Sequence, residues 1–336
     1  MLVVGVGRSG TSLLTGVLGQ LGFHVPQPEV RADDTNPRGF SEPRWAVDFH
    51  TELLQKRRVT VNDARPAAWQ STAGAAEDPA VRAQLRTWLE AQMDMAGAVV
   101  VKDPRTGWFL PLWTACSADL GVEARFITML RHPAEILASA TKSYGTWQTP
   151  ASRVAAWINI TLETERAPRG RRRAFVRYAD LLEDWPRDVN RVAELLDLPM
   201  LAGVDRESSP AVEGFVDPAL YRNREDWGQF DVPARIREMA EDVWRELQPL
   251  ADPGGDTPEL QRTLDHARGA YGELYREAED IAQSSVTAAK PRRKAAKDKP
   301  QAPKTPPSLR VRVARRVPAP LRRRLRRAVG ARRRSG

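Results

Sequence analysis

Short, wholly apolar runs alternate along the first half of this chain with longer segments whose apolar positions recur every three or four residues. Leu2–Gly7, Ala98–Lys102, Ala124–Arg131 and Ala174–Leu181 read as buried strands. Gly10–Phe23, Asp78–Met95, about 106–119, the segment starting at His132, 150–166 and Val189–Leu196 read as helices. In Asp78–Met95, Val81, Leu85, Trp88, Leu89 and Met93 share one side. Pro133 sits in the first turn of its helix, where its missing N–H costs nothing. Strands apolar on both faces, alternating with helices, predict an α/β fold with a parallel sheet covered on both sides.

The pattern weakens elsewhere. Residues 27–75 are rich in Pro, Asp and Asn, carry the turn signal Asn36–Phe40, and are expected to be irregular. Beyond Pro199 strands fade, and Pro233–Leu247 and Pro258–Gln283 read as helices. The expected organisation is a main domain over 1–250, a C-terminal helix in 251–283, a disordered Ala/Lys/Pro-rich linker over 284–308, and a basic amphipathic tail over 309–336. In that tail Leu321, Leu325, Ala328 and Val329 share one helical face amid arginine.

Charge sharpens this division. The net charge of +9 hides an acidic body. Residues 284–336 hold 19 Lys and Arg against one acidic residue, and the remainder holds 33 against 42. Such a tail suits an anionic surface. It lacks the interleaved aromatics that stack on bases, so a membrane surface is favoured over nucleic acid. Cys116 is the sole cysteine, which precludes an internal disulfide and suits a reducing, cytoplasmic setting. No signal peptide or membrane-spanning run is read, so the expected location is cytoplasmic, with peripheral attachment at the inner face of the membrane through the tail.

The chemistry starts in the loop GVGRSGTS (Gly5–Ser12), between a strand and a helix. Such a loop aims backbone N–H groups and a helix N-terminus at an anion. Gly5 and Gly10 have the spacing of a nucleotide-hydrolase loop, but Thr11 stands where that loop has lysine, and the basic residue is Arg8. Mg²⁺-assisted γ-phosphate chemistry is poorly served; a single terminal phosphate with one cation beside it is well served.

GVGRSGTSLL resembles the 5′-phosphosulfate loop of sulfotransferases, above all that of the tyrosylprotein branch and its bacterial relatives. RHPAEILAS (Arg131–Ser139) is similar to the family's 3′-phosphate site, VKDPR (Val101–Arg105) to its strand-end lysine motif, and the segment from Val176 to its Y-x-D-L segment. Together they cover roughly residues 1–200, in the family's order.

The resemblance implies a P-loop NTPase-like parallel sheet and a metal-free enzyme. That enzyme moves a sulfuryl group from PAPS (3′-phosphoadenosine 5′-phosphosulfate) to an acceptor hydroxyl, leaving PAP and a sulfate ester. Gly7, Arg8, Ser9, Gly10, Thr11 and Ser12 would hold the 5′-phosphate, with Arg8 at the bridging oxygen. Arg131 and Ser139 would grip the 3′-phosphate, and Tyr178 would lie near the adenine. Lys102 would set a second cation at the sulfonate. Glu42, in NPRGFSEP, resembles the family's general base, and Asp103 is the second candidate. His132 is expected to pack or cap its helix, and His24, His50 and His266 lack metal-ligand spacing.

Phe40, Trp45, Trp69, Trp108 and Trp147 are expected in or near the acceptor rim, although core packing competes for each tryptophan. A carbohydrate or glycolipid is the expected acceptor, from the bacterial relatives and the tail. The family's C-terminal Arg/Lys-Gly element has no clear counterpart; Arg222 and Arg224 are weak substitutes. The rival readings are a P-loop kinase and a non-catalytic basic protein binding nucleic acid or membrane.

Overall fold

A computed structural model describes residues 1–289 except 35, 37, 145–147, 222–225 and 229. Trp147, Arg222, Arg224 and the basic tail beyond Ala289 therefore lie outside the described residues. Met1–Asp280 form one compact unit.

The unit is built on four parallel strands: β1 (Leu2–Val4), β2 (Val101–Lys102), β3 (Phe126–Leu130) and β4 (Arg173–Arg177). Their order is β2-β1-β3-β4. Val3 lies opposite Lys102 on one side and Ile127 on the other, and Thr128 pairs with Phe175. Alternate side chains enter two separate cores, as the strand period requires. Leu2, Val4, Phe126, Leu130 and Phe175 face one layer, formed by α2 (Arg44–Arg57), α4 (Pro79–Met95), α5 (Leu110–Asp119), α6 (Pro133–Tyr144), α7 (Pro150–Arg166) and α11 (Ala234–Leu247). Val3, Ile127, Met129, Ala174 and Val176 face the other, formed by α1 (Thr11–Gln20), α8 (Tyr178–Glu183), α9 (Trp185–Leu196) and α10 (Pro210–Phe215). The predicted doubly covered parallel sheet is present.

Three expectations need correction. Residues 27–75 are not wholly irregular: they contain α2 and the short α3 (Ala68–Ala73). Ala46, Phe49, His50, Leu53 and Leu54 of α2 are buried at helical spacing, with the polar residues between them turned outward. The expected strand Ala174–Leu181 stops at Arg177, and Tyr178 opens α8, whose Leu181 and Leu182 join the second core. Finally, α12 (Pro258–Ala289) continues past Gln283 into the expected linker.

One helix start has a side-chain cap at Asp78. Asp78 Oδ1 accepts from the N–H groups of Ala80 (2.9 Å) and Val81 (3.3 Å) at the start of α4. Asp78→Ala is expected to cost about 1 kcal/mol, read by urea unfolding.

The sheet order fixes where a ligand belongs. From β1 the chain runs to the β2 side, and from β3 to the β4 side. The crevice between the ends of β1 and β3 is thus a topological switch point. The glycine loop leaves β1 there, and Arg131 leaves β3 beside it.

Candidate functional site

The loop after β1 is bent by three left-handed or near-extended positions, Gly5 (φ 146°), Arg8 (φ 75°) and Gly10 (φ 97°). Gly10 caps α1 with no side-chain hydrogen bond, and no acidic residue lies in the first turn. Its orphan N–H groups and the positive helix end are therefore left for an anion. Ser9 is buried and its Oγ has no hydrogen-bond partner, a polar atom inside the loop that suits an acceptor such as a phosphate oxygen. Space at Gly10 is closed: a Cβ there would lie 2.3 Å from Tyr178 Cδ2. Gly10→Ala must displace Tyr178 and strain a positive φ. It is expected to lower Tm, read by thermal unfolding.

On the β3 side the loop is locked to the start of α6. Arg8 Nε donates to Ser139 Oγ (2.9 Å), and Arg131 Nη1 donates to the Arg8 carbonyl (3.0 Å). The Arg131 guanidinium lies 4.0 Å from the centre of the Tyr178 ring, a cation–π stack. Its Nε donates to Glu135 Oε2 (2.8 Å), and Tyr221 donates to the other Glu135 oxygen (2.6 Å). Arg8, Arg131, Ser139 and Tyr178 thus form one connected group, although 47 positions separate Arg131 from Tyr178 and they sit on different elements. Glu135 and Tyr221 escaped the sequence reading. Glu135 carried a signal, its i+4 spacing from Arg131 on a helix; Tyr221 carried none.

On the β2 side Lys102 is nearly inaccessible. Its Nζ donates to Glu42 Oε1 (2.6 Å), Ser12 Oγ (3.0 Å) and the Phe40 carbonyl (3.1 Å). Its ion-pair partner is Glu42 and not the neighbouring Asp103, which pairs with His50 and Arg105. Glu42 is brought over by its loop. The Glu42 carbonyl accepts from the Val30 N–H (2.8 Å), and Arg44 N–H donates to the Pro28 carbonyl (2.8 Å). Arg38 ties the same loop to Asp217 (3.3 Å). Burial pushes the Glu42 carboxyl above the usual range; Lys102 opposes this and Asp103 reinforces it.

Asp103 is otherwise engaged. Its Oδ2 accepts from His50 Nδ1 (2.7 Å), and its Oδ1 accepts from Arg105 Nη1 (2.7 Å) and the Arg105 N–H (3.2 Å). Burial pushes its pKa up, but His50 and Arg105 outweigh burial and hold it low. With both oxygens occupied inside the core, Asp103 has no path to an acceptor proton. His132 packs and caps together, as expected: its Nδ1 accepts from the Ala134 N–H (3.2 Å), and Trp227 and Trp244 flank the ring.

Three of the expected rim residues, Trp45, Trp69 and Trp108, pack in or against the first core instead. Trp108 is buried, stacks on Trp69 at 3.7 Å between centroids, and donates to the Val61 carbonyl. Trp45 stacks between Phe49 and Trp88. These rings serve packing, because the large first core needs flat filler between α2, α3 and α4. What borders the loop at Gly7 is a small, solvent-open recess. Ile136, Leu137 and Trp157 give it an apolar wall, and Asn62 and Arg153 give it polar corners.

No curated protein matches the sequence. Among solved structures the chain is similar to the sulfotransferase domain from the Synechococcus PCC 7002 olefin synthase, at 19% identity and a TM-score of 0.41, over 72% of this chain and 92% of that one. It is also similar to the sulfotransferase domain from the curacin biosynthetic pathway, at 16% identity and a TM-score of 0.39, over 72% and 96%. The profile of the sulfotransferase family matches residues 1–203, which takes in the glycine loop, Glu42, Lys102, Arg131, Ser139 and Tyr178, and the chain belongs to that family.

Proposed function

We propose that this chain transfers a sulfuryl group from PAPS to a hydroxyl of a carbohydrate or glycolipid acceptor. The observation that carries the reading is the pairing of two sites across one loop: Arg8, Arg131 and Ser139 on the β3 side, Lys102 and Glu42 on the β2 side. PAPS supplies an activated sulfonate on a phosphate leaving group. Loop amides 7–12 and the Ser9 and Thr11 hydroxyls hold the 5′-phosphate at the α1 N-terminus. Arg131 and Ser139 hold the 3′-phosphate, and Tyr178 borders the nucleoside. Arg8 and Lys102 set positive charge where the sulfonate and leaving oxygens gain negative charge.

Glu42 takes the acceptor hydroxyl's proton. Its raised pKa makes it a stronger base than an exposed glutamate. Lys102 and Glu42 neutralise each other. A sulfonate beside Lys102 competes for the ammonium and leaves the carboxylate available to the hydroxyl. Among the described residues no helix is long and apolar enough to cross a membrane. A membrane-bound acceptor is instead met through the basic tail on an anionic lipid surface.

The test is calorimetric titration of PAP into the full chain without added metal, with ATP as control, followed by transfer from ³⁵S-labelled PAPS to octyl glucoside, glucose and 2-naphthol. Micromolar PAP affinity, much weaker ATP binding and label on octyl glucoside are expected. A folded chain that binds no PAP overturns the reading; label confined to 2-naphthol overturns the acceptor class.

A further inference from the structure

Asp103 is buried, charged and close to the reacting groups, yet it cannot reach a substrate. We infer that Asp103, held by His50, is a positioning residue for the Glu42–Lys102 pair: it fastens helix α2 to the end of β2 and fixes one negative charge behind that pair. This rests on the proposed roles of Glu42 and Lys102.

The connectivity carries the argument. Asp103 follows Lys102 directly, so it moves only with the strand end that aims the ammonium. His50 lies on α2, which begins at Arg44, two residues after Glu42. The 2.7 Å His50–Asp103 bond therefore joins the element that carries the base to the element that carries the cation, and both side chains are fully inaccessible. Trp113 sets the polarity of this link. Its Nε1–H donates to His50 Nε2 (2.9 Å), which leaves Nδ1 as the donor toward Asp103. His50 thus aligns Asp103 without needing a charge of its own. Phe109 stacks on the imidazole at 5.4 Å and blocks its rotation. Arg105 closes the second oxygen.

Among the described residues, the charges that act on Glu42 most are Lys102 from β2 and Asp103 and Arg105 from the segment after it. Lys102 and Arg105 favour the carboxylate, whereas Asp103 favours the protonated form. Burial is the main force that raises Glu42, and Asp103 adds to it against the ammonium. Packing alone would be met by any neutral residue of the same shape; the fixed charge is the part that acts on Glu42.

The experiment reads the Glu42 carboxyl directly and needs neither donor nor acceptor. In the full chain labelled with ¹³C at glutamate Cδ, the Glu42 resonance is assigned by its loss in Glu42→Gln and titrated. Asp103→Asn is expected to lower its midpoint by roughly one unit. His50→Gln, which keeps the charge and a donor to Oδ2, is expected to leave it within about 0.3 units, the conservative rescue. Asp103→Ser, which leaves room for water, gives the same downward shift and serves if Asp103→Asn does not fold. An unchanged midpoint in a folded Asp103 variant overturns the inference. Failure of the parent chain to bind PAP overturns the proposed function instead, so the two failures are read separately.

Discussion

Glu42→Gln is expected to slow sulfuryl transfer by about 10²–10⁴-fold, the usual contribution of a positioned general base. PAP affinity should stay within about threefold, because Glu42 touches Lys102 and not the glycine loop's amides. The substitution keeps the side chain's size and a carbonyl acceptor for the Lys102 ammonium, so folding should persist. The check is a turnover assay with ³⁵S-labelled PAPS beside calorimetry. In the parent chain the same residue sets the acid limb of the pH–rate profile. Only the carboxylate can accept the proton, and burial raises its pKa. Activity should therefore fall on acidification with a midpoint above the ordinary glutamate range, and Glu42→Gln should flatten that limb. Loss of PAP binding together with activity would make Glu42 a structural residue and return the identity of the base to open question.

Arg131→Ala is expected to weaken PAP binding by at least about 100-fold, since a charge-assisted contact to phosphate and the support of Arg8 are lost together. Stability suffers as well. Glu135 is buried, and without Arg131 it retains the Tyr221 hydroxyl as its hydrogen-bond partner. Breaking a buried pair from one side costs about 3–5 kcal/mol. Arg131→Lys separates the two effects. A point charge can still neutralise Glu135, so much of the stability should return. The planar group that spans Tyr178, Glu135 and the Arg8 carbonyl at once is missing, so PAP affinity should not return fully. Calorimetry and urea unfolding on both variants decide this. Equal PAP affinity in Arg131→Ala and the parent would remove the 3′-phosphate role.

Much of this site was legible because its residues sit at strand–helix junctions, where a period change marks the place. Gly5–Ser12, Lys102 and Arg131 each follow an apolar run, and the parallel sheet necessarily gathers such ends along one edge. Ser139 was legible only through the family resemblance of the Arg131–Ser139 segment. The segment around Glu42 was misjudged as wholly irregular, because α2 buries one narrow stripe and its polar faces dilute the signal. The tryptophans misled for a related reason: composition does not say which face of an element a ring takes. Asp103 was weighed as a base because nothing in the sequence places His50 beside it, 53 positions away. Tyr221 is farther still from its partner Glu135, in a region where strand patterning has ended.

The strand order has a consequence for how the chain is made. β1 is synthesised before both of its partners, and those partners, Val101–Lys102 and Phe126–Leu130, come about a hundred residues later. The first strand is thus enclosed late, after two long loops have closed around it. Until β3 pairs with it, the glycine loop has one wall, and Arg131 and Ser139 are not there to meet Arg8. A nascent or truncated chain that ends before residue 123 carries the motif without the pocket. Donor affinity should therefore arise as a single late step during synthesis, when β3 and α6 dock, and a ligand that stabilises the finished enzyme should give no protection to its growing precursor.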